Sequence, residues 1–61
     1  MTNLTSAELT AIREQLNQEQ NLVAKYHACA KQTQDEALKK KFESIADKHQ
    51  KHFDTLFAIL G

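Results

Sequence analysis

The stretch F-E-S-I-A-D-K-H-Q-K-H-F-D-T-L-F, residues 42–57, carries the pattern that decides the fold. Extended in both directions, it places apolar residues at alternating steps of four and three, the spacing of one face of an α-helix. Two positions of this face hold histidines, His49 and His52, where apolar residues are expected. The full series is Leu38, Phe42, Ile45, His49, His52, Leu56 and Ile59. The pattern predicts an amphipathic helix over about residues 35–60, followed by Gly61 as a stop signal.

The first half of the chain repeats this spacing and has one polar exception, Glu19. Its series is Leu9, Ile12, Leu16, Glu19, Val23, Tyr26 and Ala30. Before it, Thr5 and Glu8 have the spacing of a capping box, in which each side chain accepts a hydrogen bond from the other residue's backbone N–H. The sequence therefore predicts a first helix over about residues 6–32, with Met1–Leu4 as a lead-in.

A polar cluster at residues 32–35 separates the two helices. The two apolar series are out of heptad phase across it, since eight residues separate Ala30 from Leu38. Thr33 and Glu36 have the spacing of a second capping box. One continuous helix of about 55 residues is the alternative, because no glycine or proline interrupts the chain before Gly61. The phase shift and the cap favour two helices joined by a turn.

Two such helices form an antiparallel hairpin, in which residues at one level have numbers that sum to about 68. Glu19 then lies level with His49 and one turn from His52, while Tyr26 lies level with Phe42. Each apolar face is wider than one partner helix covers. We therefore expect two copies of the hairpin to form a homodimeric four-helix bundle. The fold class predicted is all-α, with residues 1–61 forming a single domain.

The meeting of Glu19, His49 and His52 predicts a metal site. Histidines three residues apart project from one face of a helix, so both can bind one ion. One carboxylate and two imidazoles suit zinc, or iron or manganese if more oxygen ligands join. The alternative is a metal-free polar layer that sets the register of the helices. In a dimer, the two ligand sets form either a two-metal site or two separate sites.

Composition narrows the function classes. The chain has 8 basic and 8 acidic side chains, so its net charge of zero indicates neither nucleic-acid nor membrane-surface binding. The single cysteine, Cys29, and the absence of a signal-like apolar stretch predict a reducing, cytoplasmic setting. Cys29 is interpreted as a small apolar packing residue and His27 as a residue at the edge of the bundle. Tyr26, two turns from Glu19, is interpreted as a packing residue or at most a neighbour of the ligands. No phosphate-binding loop, nucleophile motif or CxxC is present. The sequence therefore identifies no catalytic residue, and whether the chain is an enzyme is left open.

Two stretches resemble the metal-binding helices of ferritin-like and rubrerythrin-like proteins. Residues 19–30, E-Q-N-L-V-A-K-Y-H-A-C-A, are similar to the first, where a glutamate precedes a tyrosine by seven residues. Residues 42–52 are similar to the second, with its pattern F-x-x-I-A-x-x-E-x-x-H. The resemblance covers half of the usual four-helix unit. The chain is also similar to short two-helix proteins related to the spore coat F family.

The resemblance implies a dimeric ferritin-like bundle, with Glu19 and His52 as metal ligands. At position 49 the family pattern has a glutamate that bridges two metal ions, and this chain has His49. A nitrogen-richer site favours zinc or another late divalent metal, or a structural role, over di-iron chemistry with oxygen or peroxide. The coat-protein resemblance implies assembly with a coat or a larger complex and a spore-associated location.

Overall fold

The computed structural model describes residues 3–61, which form two packed helices. Helix α1 spans Ser6–Gln32 and helix α2 spans Glu36–Ile59. The two helices pack along each other as a hairpin, and residues 3–61 contain no strand. The all-α hairpin is therefore confirmed, and the single continuous helix is excluded. Of the predicted lead-in, Met1 and Thr2 lie outside the described residues, whereas Asn3 and Leu4 precede α1.

The predicted capping box at the start of α1 is confirmed. The backbone N–H of Glu8 donates to Thr5 Oγ1 at 3.1 Å, and the backbone N–H of Thr5 donates to Glu8 Oε1 at 2.9 Å. Thr5 has the extended backbone of an N-cap residue. These bonds satisfy two N–H groups that have no partner within the helix.

The predicted second capping box is wrong in its residues, because Asp35 rather than Thr33 caps α2. Asp35 Oδ1 accepts the backbone N–H of Leu38 at 3.0 Å. Thr33 instead ends α1: its N–H donates to the Cys29 carbonyl at 3.1 Å, and its Oγ1 accepts the N–H of Asp35 at 3.2 Å. Since the two caps are only two residues apart, they fix a tight connection without glycine or proline.

The end of α2 agrees with the predicted stop signal. Leu60 is the C-cap, and Gly61 follows with φ +116°. A backbone in this left-handed region carries a steric cost for residues with a Cβ, so glycine suits it.

The two helices bury few residues between them, and two of these are alanines. Ala46 is 0% exposed and Ala30 is 4% exposed. Leu16 is also buried, but no large side chain of residues 3–61 is fully buried. The hairpin measures 46 × 16 × 11 Å, a single layer of two helices. The predicted dimeric bundle needs a second copy of the chain and stays a prediction.

Among residues 3–61, neither helix combines the length and the apolar composition that crossing a bilayer requires.

Candidate metal centre

The hairpin brings the three predicted ligands together at its mid-height. Glu19 is the central residue of the 27-residue helix α1. His49 and His52 lie one turn apart on α2, facing it. One ligand atom from each of the three residues lies within 4.8 Å of the other two. The level pairing predicted from the turn and the apolar series is therefore confirmed for Glu19 and His49.

Both imidazoles contact the Glu19 carboxylate through Nδ1. His49 Nδ1 lies 2.8 Å from Glu19 Oε1, and His52 Nδ1 lies 3.2 Å from Glu19 Oε2. The contact between His49 Nδ1 and Glu19 Oε1 is a hydrogen bond that joins the two helices. One carboxylate on α1 thus links two side chains on α2.

Exposure rises from the carboxylate to the second histidine. The side chain of Glu19 is 4% exposed, that of His49 is 23% exposed and that of His52 is 63% exposed. A buried carboxylate without partners costs several kcal/mol, so the hydrogen bond with His49 also serves to satisfy Glu19. In residues 3–61, no buried side-chain nitrogen or oxygen lacks a hydrogen-bond partner. The site is closed at Glu19 and open to solvent at His52.

Two of the three distances between ligand atoms are close to those around a small tetrahedral ion. Zinc binds imidazole nitrogen and carboxylate oxygen at about 2.0–2.2 Å, so the ligands of a tetrahedral site lie ~3.3–3.5 Å from one another. Glu19 Oε2 lies 3.4 Å from His49 Nδ1 and 3.2 Å from His52 Nδ1. The first distance lies within this range and the second is slightly shorter, while all three ligand atoms lie within 4.8 Å of one another. The donor set leaves a fourth coordination position for water or another ligand.

Tyr26 is a neighbour of the ligands, the second of the two roles that the sequence suggests for it. Its ring stacks on that of His49, with a centroid distance of 6.1 Å and an interplanar angle of 10°. Its other contacts are the ring of Phe42, at 6.0 Å, and Lys25 Nζ, 5.4 Å from the ring centroid. The predicted level pairing of Tyr26 with Phe42 is confirmed. Level pairing alone does not predict the contact with His49, which lies two turns from Phe42 on α2.

A surface cavity of about 370 Å³ opens beside the exposed histidine. Its lining includes Glu19 and His52, together with Gln15, Thr55 and Leu56. Gln15 lies one turn before Glu19, and Thr55 one turn after His52, so their helical spacing could have identified both. The cavity gives solvent access to the open side of the ligand cluster.

His27 and Cys29 lie outside the cluster. His27 is exposed on α1, as predicted, and Cys29 is a half-buried free thiol. Neither belongs to the group of ligand atoms around Glu19.

Fold and site together define a two-helix hairpin with a buried glutamate held between two histidines. No protein family, curated protein or solved structure matches the chain.

Proposed function

We propose that this chain binds a divalent metal ion through Glu19, His49 and His52. The observation that carries the proposal is that Glu19, His49 and His52 each bring one ligand atom within 4.8 Å of the other two, with Glu19 Oε2 3.2 Å and 3.4 Å from the two Nδ1 atoms. Zinc fits the nitrogen-rich donor set best, and iron or manganese would need further oxygen ligands. A bound ion would join α1 to α2, and so couple metal binding to folding.

The resemblance to ferritin-like and rubrerythrin-like proteins extends this proposal to the oligomeric state. Under it, two hairpins form a homodimeric four-helix bundle, with the ligand clusters inside. Redox or metal-handling activity would follow from a metal that changes oxidation state. His49 in place of the bridging glutamate favours zinc, which has no redox chemistry, and hence a structural role for the ion.

A second candidate function is a metal-free interaction module similar to a coat protein. The 2.8 Å contact between His49 and Glu19 favours it, since the buried carboxylate already has a partner without an ion. In this case the polar layer would set the helix register, and the hairpin would act through assembly with a coat or larger complex.

Thermal unfolding with and without zinc tests the metal proposal. A ligand at a free concentration 100-fold above its Kd stabilises the folded state by about 2.7 kcal/mol. The native protein is first stripped of metal with a chelator, and its Tm is then measured with and without added zinc. We expect zinc to raise the Tm, because binding stabilises the folded state. Glu19→Gln and His49→Ala should each abolish this increase. The matched control is His27→Ala, which removes an exposed histidine outside the cluster and should leave the zinc response intact.

Elemental analysis of the protein purified without added metal completes the test. Copurified zinc, iron or manganese that is absent from the Glu19→Gln variant would support the proposal. If no metal copurifies and no divalent ion raises Tm, the metal proposal is wrong and the interaction module takes its place.

A further inference from the structure

Along one side of α2, a line of four residues is exposed or half-buried in the hairpin. Phe57, 58% exposed, and Leu60, 38% exposed, lie outside this line. Leu38, Ile45, His52 and Ile59 follow one another at intervals of seven, so they lie along the same side of the helix. Leu38 is 40% exposed, Ile59 is 38% exposed and Ile45 is half-buried. We call these four residues the α2 stripe. Three of them are large apolar side chains, and the fourth is the solvent-exposed ligand of the cluster.

The surface area of the hairpin matches that of a protein missing one interface. A compact monomer of 7.0 kDa has an accessible surface of about 4,000 Å². The hairpin exposes 4827 Å². The excess of roughly 800 Å² is about the area that one partner buries in a standard protein interface. A second copy has the length needed to cover a stripe running along a molecule 46 Å long.

We propose that the α2 stripe is the docking surface for a second copy of this chain, bound in antiparallel orientation. This inference rests on the proposed homodimer but not on the metal. It assigns the face through which the copies meet and their relative direction.

The charge distribution favours the antiparallel direction. The half of the hairpin that contains the turn, residues 20–48, has six basic and four acidic side chains. The other half, residues 3–18 and 50–61, has two basic and three acidic side chains. Parallel copies would place two Lys39-Lys40-Lys41 runs at the same end, where like charges repel. Antiparallel copies separate these lysine runs. Each run then lies beside the half of its neighbour in which acidic side chains outnumber basic ones, residues 3–18 and 50–61.

The α2 stripe is also self-complementary in this direction. A two-fold axis midway between Ile45 and His52 places Leu38 against Ile59 of the second copy, at both ends of the interface. It also places His52 against Ile45 of the second copy. A closed dimer with one isologous interface results.

The arrangement determines how the two ligand clusters relate. Because seven residues separate the levels of Ile45 and His52, the two His52 residues lie ~10 Å apart along the helix direction. The clusters then form two separate sites, each covered by an isoleucine of the second copy, rather than one shared two-metal site. Docking would also exclude solvent from His52.

Single-cysteine variants distinguish the two directions. In a Cys29→Ala background, Leu38→Cys and Ile59→Cys are made separately, and one of them is labelled with ¹⁵N so that mass spectrometry separates the products. The mixture is oxidised in the presence of a chelator. We expect a disulfide between the Leu38→Cys and Ile59→Cys chains to predominate at least five-fold over either self-linked product. Lys40→Cys, on the exposed side away from the stripe, is the matched control and should form no such product.

Sedimentation of the native chain at the same concentration gives the oligomeric state independently. Self-linked Leu38→Cys chains would show a parallel dimer and overturn the proposed direction. A dimer in which neither combination crosslinks would overturn the α2 stripe as the interface, and a monomer would overturn the inference altogether. Since no metal is present, these outcomes are independent of the zinc test.

Discussion

At the scale of single residues, Glu19 is the side chain least expected at its position, and it is the hydrogen-bond partner of His49. The helical pattern calls for an apolar residue at position 19, yet a carboxylate is buried there. His49 is held on two sides, by Glu19 at its Nδ1 and by the ring of Tyr26 against its plane. Such supporting contacts orient an imidazole before an ion binds, and their loss commonly lowers metal affinity 10–100-fold.

Tyr26→Leu should therefore weaken zinc binding by about 10-fold without removing a ligand. Leucine keeps an apolar contact between the helices but cannot hold the His49 ring in plane. Isothermal titration calorimetry measures the affinity of each variant for zinc. Tyr26→Phe is the matched control, since it preserves stacking and removes only the hydroxyl group, and it should bind zinc like the native chain. Equal losses in both variants would show that the hydroxyl rather than the ring supports the site.

At the scale of helices, local hydrogen bonds determine where α1 and α2 begin. Hydrogen bonds with Thr5 lower the pKa of Glu8 below its ordinary value of 4.5. The bond with the Thr5 backbone N–H has the larger effect, and the bond with the Thr5 side chain has the smaller one. Glu8 also lies in the first turn, where the helix dipole favours a negative charge. A carboxyl group with a lowered folded-state pKa stabilises the folded chain above its unfolded-state pKa, and this contribution disappears as the pH falls through the folded-state pKa.

Glu8→Gln should accordingly reduce the free energy of unfolding at pH 7, with the difference shrinking steadily below pH 4.5. Glutamine can still accept the N–H of Thr5, so the variant isolates the charge. Denaturant unfolding at a series of pH values provides the measurement. Glu14→Gln removes an exposed charge beyond the first turn and controls for net charge. A difference that persists unchanged to pH 3 would contradict the assigned cause.

The sequence predicts the two helices and the ligand cluster because both depend on spacing. Steps of three and four define one face per helix, and a short turn fixes which levels meet, so Glu19 and His49 could be paired without coordinates. The choice between Thr33 and Asp35 as N-cap could not be made in this way. Both residues are good caps, and the outcome depends on backbone angles at the turn. The unequal exposure of His49 and His52 also depends on how the helices are rotated against each other.

At the scale of the whole molecule, the polar cluster lies halfway along a hairpin that has little core of its own. Only a few residues are buried, and Glu19 is one of them. An apolar layer at this height would remove the desolvation cost of the carboxylate and extend the hydrophobic contact between the helices. Replacing buried ionic groups with apolar residues is often neutral or stabilising by about 1–4 kcal/mol. Stability alone therefore does not account for this cluster.

The triple variant Glu19→Leu, His49→Leu, His52→Leu should raise the free energy of metal-free unfolding by about 1–4 kcal/mol and lose all response to zinc. Removing all three groups together matters, since Glu19→Leu alone leaves the half-buried His49 without its partner. Denaturant unfolding in chelator, at one fixed protein concentration, measures the change. The matched control is the triple variant carrying leucine at exposed positions Gln18, Lys40 and Lys51, which adds comparable apolar surface away from the ligands and the α2 stripe. A cluster variant less stable than the native chain without metal would show that the hydrogen-bonded layer itself holds the helices together. That result would favour the interaction module over the metal site.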